Sequence, residues 1–229
     1  MILLGVDTSG KHGSIALARV PDDANSGSAG SVEMLEVVPL AGGTFSAQLV
    51  PQISGLLSKH GLGRHEIGGF AVASGPGSFT GLRVGLAAIK ALAEVLEKPI
   101  AAVSLLEVVA RSAKTEGNMV SVLDAGRGEV YAGEYGAGER TRLRSERLIP
   151  LDQFLGEARG CVVVTPDPAL ADAARSSGLK VEEVPEPGSD AIVRLGWEKI
   201  QSSETVAAED LEANYIRRSG AEIFAKTRS

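Results

Sequence analysis

The sequence predicts an α/β protein whose plan is built twice, as two lobes that each hold a mixed β-sheet flanked by helices. Three observations carry this expectation. The 229 residues suit two lobes of about 100 residues each. Apolar residues make up 44% and charged residues 23%, enough to bury a core. Hydrophobic patterning reads β-β-β-α-β-α-β-α from the N-terminus, and the same order starts again at Asn118. The halves share no visible sequence identity, so the repeat lies in the order of elements alone.

Taken in order, residues 2–6 form an apolar run that ends in Asp7-Thr8-Ser9-Gly10, and residues 14–20 form a second, so the two predict a hairpin. Residues 21–31 are polar and rich in Gly and Ser, which marks a mobile loop before a third strand at 32–38. Phe45, Leu49, Ile53, Leu56 and Leu57 recur at helical spacing. A buried-type strand at 69–74 leads into Gly75-Pro76-Gly77-Ser78-Phe79-Thr80-Gly81 and a long helix over about 80–97. A strand follows at 99–103, and Ser104 with Glu107 matches a capping box. In the second half, strands at 119–123 and 130–135 frame a turn at Asp124-Ala125-Gly126-Arg127-Gly128, and 142–149 gives a third strand. Then come a short helix at 151–156 and a strand at 161–165. The next helix has Asp167 as N-cap, Pro168 in its first turn and Gly178 as its stop. A strand at 180–184 and a helix from Ser189 or Asp190 to about 200 complete the repeat.

Charge and cysteine content exclude several function classes. The net charge is −6 and the pI near 5.2, so the chain lacks the overall basicity of a protein that binds nucleic acid on its own. Cys161 is the sole cysteine, which excludes an intrachain disulfide and points to a reducing compartment. The N-terminus has no basic leader and reaches Asp7 too early for a signal peptide; Lys90 and Glu94 interrupt the longest apolar stretch. The expected location is the cytoplasm.

Two turns are candidates for phosphate chemistry. Asp7-Thr8-Ser9-Gly10 and the turn at Asp124 each place an acidic residue at a strand end, beside backbone N–H groups that Gly leaves accessible. The competing explanation is a tight turn whose Asp and Ser satisfy local backbone groups. The Gly75–Gly81 segment joins a strand to a helix N-terminus, where free N–H groups attract anions, through Gly75, Gly77, Ser78 and Thr80. It matches neither the Walker pattern nor the dinucleotide fingerprint. Its alternative is structural, with Ser78 or Thr80 as the cap and the glycines relieving crowding. The helix after it is apolar on two sides: Leu82, Leu86, Ile89, Ala93 and Leu96 on one, Val84, Ala88, Ala91 and Val95 on another. One side can meet the parent sheet, and the other is left for a further element or another chain. His12, His60 and His65 lack metal-ligand spacing, no Gly-x-Ser-x-Gly elbow occurs, and Cys161 sits in an apolar stretch that favours core packing. Glu182-Glu183 reads as solvated charge. Tyr215-Ile216-Arg217-Arg218 places two cations beside an aromatic residue, as a surface face or as a dock for an acidic partner or RNA phosphate. No complete active site and no metal site emerges.

Together, Asp7-Thr8-Ser9 after a strand, the run from Gly75 to Arg83, Asp124 through Tyr131, and Tyr215-Ile216-Arg217 resemble the TsaB (YeaZ) family over essentially the whole chain. The resemblance implies the duplicated ribonuclease H-like fold of actin, Hsp70 and sugar kinases. It also implies a part in making threonylcarbamoyladenosine in tRNA, as a partner of a TsaD-type transferase and a TsaE-type ATPase, and as a homodimer when alone. Members are regarded as non-catalytic and reach tRNA only through the complex. Such a chain requires no cofactor of its own; ATP or ADP, if bound, is expected at a partner junction. Family interfaces use the first-lobe helices, here about 45–59 and 80–96, so Leu49, Ile53, Leu57, Leu82, Leu86, Ile89 and Ala93 are the expected interface. The chain departs from the family in lacking the His-x-x-x-His pair of TsaD, in the position of Arg127, and in Ala213 where Pro is common.

The resulting expectation is a scaffold or activator subunit without activity of its own. Its first lobe covers 1–103, with 206–229 packed back on it, and its second covers 104–205. The alternatives are a nucleotide-binding phosphotransferase or ATPase using Asp7 and Asp124, and a glycoprotease-type peptidase.

Overall fold

In the computed structural model, the described residues are 1–21, 32–136, 142–214 and 216. The chain divides into two units: Met1–Leu105 with Pro187–Ala213, and Leu106–Glu186 with Asn214.

In the first unit, β1 (Ile2–Asp7), β2 (Gly13–Arg19) and β3 (Glu33–Leu40) form an antiparallel meander, and β4 (Ile67–Gly75) and β5 (Ile100–Ser104) add in parallel. The strand order is β3-β2-β1-β4-β5. All six residues of β1 are buried, because helices cover both faces of the sheet, and the strand reads as an unbroken apolar run. Alternation along β1 sends Leu4 and Val6 to one face and Leu3 to the other. The Leu4 face packs on α1 (Phe45–Lys59) and α2 (Phe79–Leu96). The Leu3 face packs with Ala16, Ala18, Val193 and Trp197, the last two from α6 (Ser189–Gln201). Val206 bridges to Ile100 at the β5 edge, and Leu211 lies in the same core as Leu4.

The second unit repeats this order. Strands β6 (Met119–Gly126), β7 (Glu129–Gly136), β8 (Arg142–Pro150), β9 (Val162–Thr165) and β10 (Lys180–Glu183) lie as β8-β7-β6-β9-β10. Val120, Val122 and Val163 pack on α4 (Leu151–Glu157) and α5 (Pro168–Ser176) through Phe154, Leu170 and Ala174. Val109 and Ala110 of α3 (Leu105–Ser112) cluster with Met119, Tyr135 and Val164. Asp167 caps α5, its Oδ1 accepting from the N–H groups of Ala169 at 2.8 Å and Leu170 at 3.2 Å, and Gly178 follows the helix at φ +78°.

One assignment from sequence is corrected here. The sequence expectation places 104–205 in the second lobe, yet α6 packs on β1, β2, β4 and β5 of the first unit. Its amphipathic stripe is legible in the sequence; which sheet receives it is not. Glu182 is also more than solvated charge. Its carboxylate accepts from Lys114 N at 2.7 Å, Thr115 N at 3.0 Å and Thr115 Oγ1 at 2.5 Å, which holds it below the usual carboxylate range. Cys161 precedes β9 and is half-buried, not a residue of the strand. The 22–31 part of the polar loop, and Tyr215, Arg217, Arg218 and the rest of 217–229, lie outside the described residues.

Candidate functional site

The hairpin turn after β1 and the first turn of α2 meet inside the first unit. Asp7, Thr8 and Ser9 are buried. Asp7 Oδ1 accepts from Ser9 N at 2.8 Å and Ser9 Oγ at 2.6 Å, an Asx turn that folds the chain back on itself. The Thr8 hydroxyl donates to the Gly81 carbonyl at 2.7 Å, and Ser78 N donates to the Ser9 carbonyl at 2.6 Å. Ser78 caps α2, its Oγ accepting from Gly81 N at 3.3 Å. Gly81 has no room for a side chain, since a Cβ there would lie 2.0 Å from the Thr8 carbonyl oxygen. At Gly77 it would lie 2.5 Å from the Ser9 carbonyl oxygen.

The structure thus brings Asp7, Thr8, Ser9, Gly77, Ser78 and Gly81 together, and it gives each a packing or hydrogen-bonding reason. Gly75, at φ +118°, ends β4 before Pro76, and Thr80 is exposed. Asp124 belongs to the second unit, where its Oδ1 accepts from Gly126 N at 2.9 Å. Asp7 at the end of β1 and Asp124 near the end of the equivalent strand β6 thus make the same Asx contact, buried at Asp7 and exposed at Asp124. Arg127 and Gly128 of the β6–β7 turn both have positive φ, +60° and +75°, which a type I′ hairpin requires.

The seven residues expected at a partner interface lie elsewhere. Leu49, Ile53, Leu57, Leu82, Leu86, Ile89 and Ala93 are all buried in the first unit's own core. This is a correction with a simple cause. Of the two apolar sides of α2, the sheet takes the one with bulky Leu and Ile side chains, which fill more volume. The other side faces outward: Ala87 and Ala91 are exposed, Val95 is 77% exposed, and Phe79 is 41% exposed with the Arg83 guanidinium 3.8 Å above its ring. Val50 of α1 is 54% exposed. Of the second face read from the sequence, Ala91 and Val95 are exposed, whereas Val84 and Ala88 are half-buried against the first unit's core. The small-residue spacing Ala87, Ala91, Val95, at i, i+4 and i+8, was the available signal.

A cleft of about 590 Å³ opens beside these elements, between the hairpin tip at Lys11 and His12 and the first turns of α1 and α2. Sequence reasoning passes over Lys11 and Ser46 and weighs His12 only as a metal ligand; the Gly42-Gly43 pair ahead of α1 is the mark of a close approach. No helix among the described residues is long and apolar enough to cross a membrane.

A family model described as TsaD, tRNA N6-adenosine threonylcarbamoyltransferase, matches residues 37–208. The Escherichia coli protein described as tRNA threonylcarbamoyladenosine biosynthesis protein TsaB is 31% identical over 185 residues, 74% of this chain and 79% of that protein. The Bacillus subtilis protein of the same description is 33% identical over 136 residues, 59% of this chain and 55% of that protein. A Pseudomonas aeruginosa crystal structure, described as an uncharacterized protein with similarity to peptidase YEAZ, superposes with a TM-score of 0.72 at 24% identity, covering 94% of this chain and 99% of that one. The fold is the duplicated ribonuclease H-like fold of actin and Hsp70, with two sheets of one strand order. By the family model and the Escherichia coli relative, the chain belongs to the TsaB family, within the wider family of the TsaD transferase.

Proposed function

We propose that this chain is a non-catalytic scaffold and activator in the synthesis of threonylcarbamoyladenosine in tRNA, binding a TsaD-type transferase through the outward face of α2 and α1. The observation that carries this reading is the stripe of Ala87, Ala91 and Val95, with Phe79 at one end and Val50 alongside on α1. Alanine at successive turns lets a second helix approach closely, and an exposed apolar surface of this kind marks an interaction site. The non-catalytic role is supported by the hairpin turn, where Ser9 is hydrogen-bonded to Asp7 and the nearby glycines serve packing. In this reading a TsaE-type ATPase joins the pair, the chain self-associates when alone, tRNA is reached only through the complex, and the assembly works in the cytoplasm.

The test is genetic and chemical. Deleting the gene in its native cell is expected to remove threonylcarbamoyladenosine from bulk tRNA. The wild-type chain is expected to restore it, and an Ala87→Glu, Ala91→Glu double variant to fail. Restoration by a folded double variant would overturn the assigned face, and unchanged nucleoside content after deletion would overturn the role.

A further inference from the structure

We propose that Arg83 and Glu94 set the orientation in which the outward face of α2 takes a second copy of this chain: antiparallel about a two-fold axis, with Arg83 of each copy opposite Glu94 of the other. The inference rests on the self-association read above and adds its geometry. Helix α2 carries three charged residues, Arg83, Lys90 and Glu94. Lys90 is turned to its own chain, its Nζ donating to the Glu209 carbonyl at 2.9 Å. Arg83 and Glu94 are exposed, as are Ala87 and Ala91 between them. At about 3.6 residues per turn, these four positions fall within about a quarter of the helix circumference. One face of α2 therefore runs cation, small, small, anion along its length.

That order is self-complementary. The midpoint between Arg83 and Glu94 falls within one residue of the midpoint between Ala87 and Ala91. A two-fold axis through that point, perpendicular to the helix, lays Ala87 against Ala91 of the second copy and Arg83 against Glu94 at both ends. A parallel pairing would set Arg83 against Arg83 and Glu94 against Glu94, and these like charges repel. The alanines let two helix axes approach to about 8 Å. The charged positions lie about 8 Å to either side of the two-fold axis at about 1.5 Å per residue, so the long Arg and Glu side chains meet across the gap. Arg83 is held ready for this contact, its guanidinium 3.8 Å above the exposed Phe79 ring, which reduces the side-chain freedom lost on pairing with a carboxylate. Helix α1 does not oppose the arrangement. It carries no charged residue from Phe45 to Ser58, so a second copy buries no unpaired charge beside Val50.

The test is sedimentation equilibrium of the full-length chain at low salt. It compares the wild type with Arg83→Glu, Glu94→Arg, the double variant, and an equimolar mixture of the two single variants. The wild type is expected to self-associate, and each single reversal to weaken this by about tenfold or more, since two like-charged pairs then face each other. The double variant restores both pairs with the signs exchanged, and the mixture restores them between unlike chains. Both are expected to associate like the wild type. The substituted positions are exposed, and unfolding curves matching the wild type establish that the variants are folded. The inference alone is overturned if the single reversals associate like the wild type, or if either the double variant or the mixture stays as weak as the single variants. A wild type that remains monomeric up to about 1 mM leaves the face to the transferase, and overturns the inference together with the self-association beneath it.

Discussion

The Thr8 hydroxyl donates to the Gly81 carbonyl oxygen at 2.7 Å, and a Cβ on Gly81 would in turn stand 2.0 Å from the Thr8 carbonyl oxygen. The two backbones are thus held face to face, with a polar contact that requires the missing side chain. Gly81→Ala must push α2 away from the β1 turn, and about 3 kcal/mol or more of unfolding free energy is expected to be lost. Gly55→Ala is the control. It lies in the exposed interior of α1 with nothing within 4 Å of a Cβ, and a gain of about 0.5–1 kcal/mol is expected. Urea unfolding of the two variants checks both signs.

The two sides of α2 separate folding from association. Leu86→Ala opens a cavity in the first unit's core and is expected to cost about 2–5 kcal/mol in urea unfolding. Ala91→Glu places a charge on an exposed position and is expected to leave stability within about 0.5 kcal/mol of wild type. In co-purification with the transferase the order reverses: Ala91→Glu is the variant expected to lose its partner.

Glu182 gives the second unit an acid-sensitive contact. Its folded pKa is depressed, first by the hydrogen bond from Lys114 N and then by that from the Thr115 hydroxyl. The stability it contributes is fully present above the unfolded carboxylate pKa, and it is lost as pH falls through the lower, folded value. Glu182→Gln is therefore expected to lower the urea midpoint at pH 7. The gap to wild type is expected to narrow as pH falls through the depressed folded value of Glu182, below which both carry a neutral side chain.

Arg127 holds a left-handed conformation at φ +60° in the β6–β7 turn. Asn accepts that region with less strain and is the preferred partner of Gly in a type I′ turn. Arg127→Asn is expected to raise stability by about 0.5–1 kcal/mol, read from the thermal midpoint, while leaving tRNA modification intact if the turn serves only structure.

Much of this architecture is legible in the sequence, because its local signals are strong. Asp167-Pro168 and Gly178 bracket α5 where cap chemistry puts them, and the apolar runs locate the strands of both sheets. What escapes is the pairing of faces. Helical periodicity shows that α2 is apolar on two sides, but only the volume of Leu82, Leu86 and Ile89 against Ala87 and Ala91 decides which side the sheet takes. The same limit applies to the Asp7 turn. Residue types show that Asp, Thr and Ser can hold a phosphate. They do not show that Ser9 turns its hydroxyl to Asp7 and Thr8 turns its own to Gly81. The cleft at Lys11 is made by segments about thirty residues apart, a distance no local pattern spans.

Helix α6 seals the Leu3 side of a sheet whose last strand ended at Ser104, and the entire second sheet is encoded in between. A ribosome therefore releases β1 to β5 long before Trp197 emerges to cover them. Until then the nascent first half carries an oily flank, open to chaperones and to premature sticking. For the same reason, cutting the gene between its two repeats would not yield two independent halves: the N-terminal fragment would lack its lid.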